Sequence, residues 1–519
     1  MARILVAEPL AEEGVAILRS AHDVDVKTGL PREELLAILP DYDALLVRSQ
    51  VQVDAEAIKA GTKLQVIGRA GVGVDNIELE AATAAGIVVV NAPTGNTVAA
   101  AEHTLALLFA LARRIPAADA SVRRGEWKRA QFTGRELRGK TLGIIGLGKI
   151  GMTVAEAARG FEMVVIGHDP FVTEEAAALR GIRLASVAEI LRTADAITVH
   201  VPLTAKTRGM IGAAELATMK KDAFLINVAR GGVIDEAALA DALKAGTIAG
   251  AAVDVYSAEP LPADNPLRDA PNTILTPHLG ASTEEAQTRV AVETAEQVLD
   301  VLAGRSARYA VNAPLLTPET AQALAPYLPL ARTLGRLYAQ FAPNLDGLTL
   351  EIAGELAGHD TTPLVAATLG GLLADTEERV NVINAPALAK ARGISLAQHK
   401  HPDAGRHASL LTLSGSAVVS GTVANGEPRL VRLQEHWLDM APSGSMLITH
   451  HQDKPGQVGR VGLLLGEADV NISAMYLART DPREDAYMIL ALDEAPDAPV
   501  ADRIRSMPAM LDLWLIRLD

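Results

Sequence analysis

Three side chains with complementary chemistry stand near the middle of the sequence, each shortly after an apolar segment. They are Arg230, Glu259 and His278. An imidazole titrates near neutral pH and can exchange a proton with a hydroxyl group, and a carboxylate beside it favours the protonated form and fixes the ring's orientation. A guanidinium group offers a planar fork of donors for a substrate carboxylate. If the apolar segments are neighbouring parallel strands, the pattern predicts one site that transfers hydride from a secondary alcohol.

Each of these residues also has an ordinary interpretation when it is taken alone. A histidine after a proline in a loop is usually part of a polar surface, and an arginine before two glycines is often a turn residue. The order arginine, glutamate, histidine on successive segments favours a common site over three unrelated positions. His200, which also follows an apolar segment, has no matching role, and we interpret it as packing near a cofactor.

The stretch Lys140–Gly151 supplies the element around which such a site would be organised. Leu142–Ile145 is an apolar run of strand length, and Gly146, Gly148 and Gly151 follow in G-x-G-x-x-G spacing as a helical pattern begins. The first glycine makes a tight turn, the second lets the backbone approach a pyrophosphate, and the third lets the helix pack against the strand. The N-terminus of the helix then faces the anion, which predicts a dinucleotide-binding turn.

The segment after the glycine motif indicates which dinucleotide is bound. Met163–Ile166 is predicted as the next strand, and Asp169 follows it, eighteen positions after Gly151. A carboxylate at this place hydrogen-bonds the adenosine ribose hydroxyls and would repel a 2′-phosphate, so we expect NAD rather than NADP. The alternative is a structural glycine turn followed by a solvated aspartate.

The composition restricts the classes of partner and the compartment. The 519 residues are 49% hydrophobic and 21% charged, with a formal net charge of −15 and no cysteine. The negative charge argues against nucleic acid or an anionic membrane as a partner, and the lack of cysteine excludes disulfides, thiolate catalysis and cysteine-ligated metals. Glu8 interrupts the N-terminal apolar run, which therefore lacks the layout of a signal peptide, and we expect a cytoplasmic enzyme without a metal ion.

Cationic residues at predicted strand ends are candidates for binding an acidic substrate. Alternating strands and helices predict an open parallel sheet, and such sheets bind ligands at the carboxyl ends of their strands. Arg48 with Ser49, and Arg69 with Gly71, occupy such ends and are predicted to bind substrate, although each arginine would also fit a local ion pair. Arg129 lies in a basic cluster that is either a solvated face or an arm reaching into a neighbouring subunit's site.

Several motifs resemble those of the D-2-hydroxyacid dehydrogenase family. They are Arg69–Asn76, Gly146–Gly151, Asn227–Glu236, Asp254–Pro260 and Thr276–Thr283. The resemblance implies a two-domain enzyme that uses NAD, with Arg230, Glu259 and His278 as catalytic residues. It also implies that the helix after Thr283 returns to complete the first domain.

The same resemblance implies a set of cofactor contacts along the second domain. They are Gly146, Gly148, Lys149, Ile150, Gly151, Asp169, Val201, Val228, Ala229, Arg230, Asp254, His278, Gly280 and Ala281. Relatives often have a polar residue where this chain has Val201, so a hydroxyl contact to the cofactor is lost there.

Within the family, the resemblance is greatest to members that oxidise 3-phospho-D-glycerate to 3-phosphohydroxypyruvate, the first step of the phosphorylated route to serine. Such an enzyme needs cations for a phosphate and a carboxylate, which Arg48 and Arg69 would supply. A dehydrogenase of another 2-hydroxy acid, such as glyoxylate/glycerate or 2-oxoglutarate, is an alternative. A non-catalytic NAD-sensing protein of the same fold, as in transcriptional corepressors, is a third, and the complete set of catalytic groups argues against it.

The sequence changes character beyond Ala313, where no dehydrogenase motif remains. A helix is predicted over Ala321–Phe341 and a hairpin turn at Asn425–Gly426. The same region contains a group of basic residues, which are Lys390, Arg392, His399, Lys400, His401, Arg406 and His407. We interpret this group as a solvated loop in preference to an anion-binding site.

From Met446 onward, the predicted order is strand, helix, strand, strand, helix, strand, which is ferredoxin-like. This segment resembles the ACT domain, a small amino-acid sensor. By that resemblance His451, Asp453 and Asn471 would bind L-serine at a dimer interface. Relatives often have an aromatic phenol at the position of His451, so serine sensitivity is a hypothesis.

The predicted organisation has four parts. A substrate-binding domain comprises residues 1–96 and 283–312, and an NAD-binding domain comprises residues 97–282; both are expected to be α/β units with doubly wound parallel sheets. An intervening α+β domain follows at residues 313–444, and a ferredoxin-like βαββαβ domain at residues 445–519. The expected assembly is a homotetramer, with 3-phosphoglycerate as substrate and L-serine as a candidate effector.

Overall fold

Four β-sheets organise the chain in the computed structural model, which describes residues 1–305, 307–313, 316–342, 344–376, 380–442, 444–479 and 481–518. The first two sheets are entirely parallel, the third is mixed and the fourth is antiparallel. The predicted fold class is therefore confirmed. No helix within these ranges is long and apolar enough to span a bilayer.

The first sheet is built from short apolar strands that alternate with helices. Its elements are β1 (Arg3–Val6), α1 (Glu12–Arg19), β2 (Asp23–Val26), α2 (Arg32–Ile38), β3 (Ala44–Val47), α3 (Ala55–Ala60), β4 (Val66–Arg69), α4 (Leu79–Ala84) and β5 (Val88–Asn91). The strand order is β2-β1-β3-β4-β5. From β1 the chain continues to β2 on one side, and from β3 it continues to β4 on the other side. The segments that follow β1 and β3 therefore border a crevice at the carboxyl edge of the sheet.

The second sheet follows a long connecting helix. Its elements are α5 (Thr97–Arg113), α6 (Ile115–Arg123), β6 (Thr141–Ile145), α7 (Lys149–Gly160), β7 (Val164–His168), α8 (Glu174–Leu179), β8 (Arg183–Leu184), α9 (Val187–Thr193), β9 (Ala196–Val199), α10 (Ala213–Thr218), β10 (Phe224–Asn227), α11 (Glu236–Lys244), β11 (Gly250–Val253) and β12 (Thr273–Leu275). The strand order is β12-β11-β10-β9-β6-β7-β8. The connections reverse between β6 and β9, which places the crevice of this sheet at the ends of those two strands.

Helix α12 (Glu284–Leu302) returns from the second sheet to the first. Thr283 caps it, because the threonine hydroxyl accepts a hydrogen bond from the Ala286 amide at 3.2 Å. The buried face of the helix packs Ala295 and Val298 against apolar side chains of the first sheet. Part of one helical layer of that sheet is therefore supplied by a segment that follows the second sheet, and α1 packs beside it.

The third sheet is mixed. Its region comprises α13 (Pro318–Leu324), α14 (Tyr327–Phe341), β13 (Leu348–Gly354), α15 (Thr362–Leu372), α16 (Ala385–Ala391), β14 (Leu396–His401), β15 (Ser409–Ser414), β16 (Val418–Ala424), β17 (Glu427–Leu433) and β18 (His436–Met440). The strand order is β14-β13-β15-β16-β17-β18. The predicted hairpin joins β16 to β17, and both Asn425 and Gly426 have the positive φ that such a turn requires.

Two local predictions in this region were wrong. The helix predicted over Ala321–Phe341 is divided at Pro326, because a proline inside a helix removes a hydrogen bond and clashes with the preceding turn. The basic group after Lys390 is not one loop, since Leu396–His401 forms β14 and pairs in parallel with β13. The side chains of this edge strand are mostly exposed, so it lacks the apolar alternation that predicts a strand.

The fourth sheet has the predicted ferredoxin-like order. Its elements are β19 (Ser445–Gln452), α17 (Gln457–Glu467), β20 (Ile472–Arg479), β21 (Asp485–Leu492), α18 (Ala498–Arg505) and β22 (Met510–Arg517). The strands are arranged β20-β21-β19-β22, and all neighbours are antiparallel.

The third and fourth sheets share a hydrophobic core. Helices α17 and α18 cover one face of the fourth sheet, with Val461 and Ile504 buried beneath them. The opposite face packs against α14, and Ile516 of β22 belongs to the same buried cluster as the apolar side of that helix. The rings of Phe341 and Trp514 meet there with their centres 4.6 Å apart. The C-terminal region is therefore packed onto the preceding one rather than joined to it only by the chain.

Replacing Ile516 with alanine tests this shared core. The side chain is fully buried, so we expect the free energy of unfolding to fall by about 2–5 kcal/mol. Hydrogen exchange should accelerate in α14 as well as in β19–β22, because both pack on the same side chain. Leu463, which is 63% exposed, provides the control, and Leu463→Ala should change stability by less than about 0.5 kcal/mol. Unchanged exchange in α14 would contradict the shared core.

Candidate active site

The glycine motif forms a tight turn between β6 and α7 at the crevice of the second sheet. Gly146 has a φ of 99°, and a Cβ atom there would lie 2.5 Å from the carbonyl oxygen of His200. A Cβ atom on Gly151 would overlap the carbonyl oxygen of Gly146. Gly148 instead borders open space, so its backbone is accessible to an anionic ligand in front of the N-terminus of α7.

Asp169 lies beside this turn because β7 pairs with β6. Its Oδ2 accepts a hydrogen bond from the Leu147 amide at 2.9 Å, and its Oδ1 accepts one from the Phe171 amide at 2.9 Å. These bonds hold the carboxylate at the edge of the crevice, where the ribose of a dinucleotide on the glycine turn would lie. The ammonium group of Lys149 lies 5.5 Å from the centre of the Tyr309 ring.

His278 and Glu259 form a hydrogen-bonded pair at the tips of β11 and β12. The distance from His278 Nδ1 to Glu259 Oε2 is 2.7 Å, and Glu259 Oε1 accepts a hydrogen bond from the Tyr256 amide at 3.0 Å. Burial acts to raise the pKa of Glu259, but the hydrogen bonds from His278 and Tyr256 outweigh it and leave this pKa below its ordinary value. Because Nδ1 of His278 is held by the carboxylate, Nε2 is the atom left to exchange a proton with a substrate.

A buried carboxylate, Asp254, fixes the loop that contains His278. Its Oδ1 accepts hydrogen bonds from Thr276 Oγ1 at 2.6 Å and from the Leu279 amide at 2.8 Å. Its Oδ2 accepts one from the Gly280 amide at 2.9 Å, and its carbonyl oxygen accepts one from the His278 amide at 2.8 Å. His278 has a φ of 58°, which is uncommon for a residue with a side chain, and these bonds hold it in that conformation.

His103 of α5 also contacts this carboxylate, with its Nε2 3.2 Å from Asp254 Oδ1. Burial acts to raise the pKa of Asp254, but hydrogen bonds from His103, Thr276 and Leu279 outweigh it and keep this pKa below its ordinary value. Sequence reasoning did not find His103, because a single histidine within an apolar helix has no distinguishing pattern. Its place on the helix that links the two sheets was the only available signal.

Arg230 extends from the tip of β10, the strand next to β11. The side chain of Asn227 orders its turn by donating to the Arg230 carbonyl oxygen at 3.0 Å and accepting from the Ala229 amide at 3.1 Å. The guanidinium Nη1 donates to the Ala229 carbonyl oxygen at 2.7 Å, and Nε donates to Asp75 of the first sheet at 3.2 Å. Arg230 therefore spans the cleft between the first and second sheets.

Arg48 and Arg69 bring two more cations to this cleft, since Arg48 follows β3 and Arg69 is the last residue of the neighbouring strand β4. Burial, followed by the positive charges of Arg230 and Arg48, lowers the pKa of Arg69 to about 10. Its Nε has no hydrogen-bond partner among the described residues. Gly71 packs directly against this guanidinium group, and Ser49 is exposed next to Arg48. Three neighbouring cations, one of them incompletely paired, have the chemistry that suits the binding of an anion.

Glu8, which sequence patterns had indicated only as a break in an apolar run, orders this edge of the first sheet. Its buried carboxylate accepts backbone hydrogen bonds from Arg48 at 2.6 Å, Gln50 at 3.0 Å and Val51 at 3.1 Å. Glu8 follows β1, and these three hydrogen bonds fix the segment after β3. A carboxylate directly after the first strand of a doubly wound sheet was the signal that could have found it.

His200 supports the glycine turn from the neighbouring strand β9. Its Nε2 lies 3.0 Å from Thr198 Oγ1, and burial lowers its pKa to about 4, so the ring is neutral at pH 7. The side chain of Val201 packs against Gly146. Along the same edge of the sheet lie the other predicted cofactor contacts, which are Ile150, Val228, Ala229, Gly280 and Ala281.

Arg129, a predicted substrate contact, is not part of this cleft. It is exposed in a short 3₁₀ helix, Arg129–Phe132, and forms no hydrogen bond or ion pair with any residue in the described ranges. That helix lies beside the C-terminal end of α5, where Arg114 donates to the Gln131 carbonyl oxygen at 2.9 Å. A role for Arg129 in the site would require a neighbouring subunit.

The predicted serine-binding residues are not brought together within one chain. His451 and Asp453 lie at one end of the fourth sheet and Asn471 at the other, just before β20. Asp453 pairs with Arg479 at 2.6 Å, and Asn471 donates to Asp493 at 2.7 Å.

Comparison with known proteins places this cleft within one enzyme family. Residues 105–280 match the NAD binding domain of D-isomer specific 2-hydroxyacid dehydrogenases, and residues 323–434 match the D-3-phosphoglycerate dehydrogenase intervening domain. The D-3-phosphoglycerate dehydrogenases of Synechocystis sp. and Archaeoglobus fulgidus are 45% and 41% identical to the chain; the matches cover 100% and 99% of it, and 95% and 100% of the relatives. The chain belongs to the D-3-phosphoglycerate dehydrogenase family.

Solved structures share the fold over part of the chain. The TT0316 protein of Thermus thermophilus is 36% identical, with a TM-score of 0.56, and its match covers 60% of this chain and 99% of that protein. A glyoxylate reductase from Paecilomyes thermophila is 31% identical, with a TM-score of 0.55, over 60% of this chain and 98% of its own. The shared fold therefore extends to enzymes named for different substrates, and the substrate has to be argued from the site.

The cofactor of this D-3-phosphoglycerate dehydrogenase family member is NAD, and the described residues fit it. The open backbone at Gly148 and the N-terminus of α7 would hold the pyrophosphate. Asp169 would accept hydrogen bonds from the adenosine ribose, and its charge disfavours a 2′-phosphate.

His200 predicts a pH dependence of stability. Its pKa of about 4 in the folded protein lies below the ordinary value of 6.5, so the unfolded chain takes up the proton first as the pH falls. The stability contributed by the neutral ring is complete above about pH 6.5 and is lost as the pH falls towards 4. As the pH falls from 6.5 to 4, the free energy of unfolding of the parent protein should decrease on the order of 1–3 kcal/mol more than that of His200→Gln. Parallel curves of urea unfolding against pH for the two proteins would contradict this interpretation.

Proposed function

We propose that this protein oxidises 3-phospho-D-glycerate to 3-phosphohydroxypyruvate with NAD, the first step of phosphorylated L-serine biosynthesis. The observation that supports the substrate most directly is the group of cations formed by Arg48, Arg69 and Arg230 next to the His278–Glu259 pair. Phosphoglycerate has a phosphate and a carboxylate, which together need several cationic partners. A smaller acid such as lactate has one anionic group and would leave the largely buried Arg69 without a counter-charge.

Each polar side chain around the cleft has a separate role in the proposed reaction. Bound at the glycine turn and Asp169, NAD would supply the acceptor for the hydride that leaves C2 of the substrate. His278 Nε2 accepts the proton of the C2 hydroxyl group as the carbonyl forms, and Glu259 on Nδ1 stabilises the resulting imidazolium. Arg230 orients the substrate carboxylate and polarises the forming carbonyl. In the direction of reduction, His278 returns the proton.

NADH formation by the purified protein tests the proposed reaction. NADH absorbance should grow with 3-phospho-D-glycerate and NAD, and far less with D-lactate, D-glycerate or 2-hydroxyglutarate. Replacing His278 with glutamine removes the proton acceptor and should lower kcat by about 10²–10⁴-fold. The matched control is His401→Gln at an exposed position, which should leave kcat unchanged within about twofold.

The alternatives give different results in the same assay. Faster oxidation of another 2-hydroxy acid than of phosphoglycerate would assign a different substrate to the same site. NAD binding by calorimetry without hydride transfer from any of these acids would indicate a non-catalytic NAD-sensing protein instead.

We also propose that L-serine regulates the enzyme and that the enzyme is a homotetramer. Because His451 and Asp453 lie at the opposite end of the fourth sheet from Asn471, a serine site made from all three needs two chains. A carboxylate and an amide suit the ammonium and carboxylate groups of an amino acid.

A serine titration tests this regulatory proposal. Initial rates should fall as L-serine is added, while D-serine has no effect, and light scattering should give the mass of four chains. Asn471→Ala should weaken the inhibition about tenfold, because it removes the amide that would bind the ligand carboxylate. Full activity at high L-serine, with no binding heat by calorimetry, would refute the proposal.

A further inference from the structure

The ion pair between Arg230 and Asp75 joins the two parallel sheets across the cleft. Asp75 Oδ2 accepts a hydrogen bond from Arg230 Nε at 3.2 Å, and the Ala229 carbonyl oxygen accepts one from Nη1 at 2.7 Å. Two of the five guanidinium N–H groups are therefore engaged. The fork formed by Nη1 and Nη2 keeps donors that have no acceptor among the described residues, and a carboxylate binds such a fork through two parallel hydrogen bonds.

Asp75 is placed by the framework of the first sheet and not only by its partner. The side-chain amide of the next residue, Asn76, donates to the carbonyl oxygens of Arg48 and Val51 at 3.1 and 2.7 Å. Glu8 fixes that same segment through three backbone N–H groups. The loop that contains Asp75 is therefore fixed independently of Arg230, while the Asp75 side chain itself is 67% exposed.

The loop around Asp75 also leaves the guanidinium group little freedom. A Cβ atom on Gly73 would overlap Arg230 Nη2 and would lie 2.7 Å from Asp75 Oδ2. A larger residue at this position would displace the guanidinium group or the Asp75 carboxylate from its present place. With the loop on one side and the Ala229 carbonyl oxygen on another, a rotation of the fork would break both hydrogen bonds.

A negative charge in an anion-binding cleft needs an explanation. Asp75 counteracts the neighbouring cations, and it also acts on Arg69 by raising its pKa against the larger effect of burial. If its only effect were electrostatic, Asp75 would weaken the binding of an acidic substrate. Its hydrogen bond to Nε provides the compensating effect, because it orients the donors that the substrate needs.

We propose that Asp75 is a positioning residue that orients the Arg230 guanidinium fork towards the substrate carboxylate. The cleft thereby prefers a 2-hydroxy acid over the same molecule with a hydroxymethyl group in place of the carboxylate. The inference rests on the proposed function, since it takes the carboxylate of phosphoglycerate as the ligand of Arg230. Asp75 itself touches neither substrate nor cofactor in this account.

Two ligands that differ only in the carboxylate test this role. sn-Glycerol 1-phosphate has the same arrangement at C2 as 3-phospho-D-glycerate, with a hydroxymethyl group in place of the carboxylate. Calorimetry with the full-length protein and NADH, which prevents turnover, should show tighter binding of phosphoglycerate by the parent protein. Asp75→Ala should reduce this preference about tenfold, and Asp75→Asn about threefold, because asparagine keeps an acceptor oxygen for Nε. The affinity for sn-glycerol 1-phosphate should change by less than about twofold.

Kinetics and a matched variant complete the test. The KM for phosphoglycerate should rise in parallel with the lost preference, while the KM for NAD stays within about twofold. The matched variant is Asp300→Asn, which removes an exposed ion pair between Asp300 and Arg305 with an N–O distance of 2.7 Å. This pair is remote from Asp75 in the sequence, so neither KM should change. If Asp75→Ala does not fold, Asp75→Asn provides the same comparison of ligands.

Three outcomes would overturn the inference: an unchanged preference, an equal loss of affinity for both ligands, or tighter binding of phosphoglycerate by Asp75→Ala. The last would mean that Asp75 only competes with the substrate for Arg230. A parent protein that forms no NADH from phosphoglycerate would refute the proposed function instead, so the two failures are distinguishable.

Discussion

A single buried carboxylate holds the reactive edge of the molecule together. Asp254 has no exposed surface, and a buried charge is tolerated only when hydrogen-bond donors surround it. Here they come from the loop after β12 and from His103 of the helix that joins the two parallel sheets. The left-handed conformation of His278, and with it the direction of the imidazole ring towards Glu259, depends on this network.

Charge is used in two opposite ways around the cleft. The protein as a whole is acidic, yet Arg48, Arg69 and Arg230 are gathered where the strands of both sheets end. Two carboxylates, Glu8 and Asp75, lie among these cations. Glu8 accepts hydrogen bonds that fix a backbone segment, and Asp75 accepts one from the Arg230 guanidinium group. The Arg230 guanidinium is thus already oriented by its hydrogen bonds, which would lower the entropic cost of binding an anion.

The C-terminal half is not a loosely tethered addition. The fourth sheet shares its core with α14, and the third region touches the first sheet through Asn381 and Asn384, which donate to the Gly86 and Ala84 carbonyl oxygens at 2.6 and 3.2 Å. These carbonyl groups lie at the C-terminal end of α4, where a helix leaves acceptors without internal partners. The fourth sheet is thus connected to the first through the shared core with α14 and through these hydrogen bonds.

Local patterns in the sequence predicted much of the fold and of the candidate site. The glycine spacing and the apolar strands are short-range features, so they predicted the parallel sheets and the dinucleotide turn. The order arginine, glutamate, histidine is also short-range, and it predicted candidates for the catalytic groups. The helix break at Pro326 was equally local and was overlooked, whereas the exposed edge strand β14 has no apolar pattern to find. Only the tertiary structure decided which polar residues meet at the cleft. Asp75 contacts a partner 155 positions away, and His103 contacts one 173 positions away. Such contacts depend on the order of strands in each sheet and on the packing of one sheet against the other, which no local run of residues encodes.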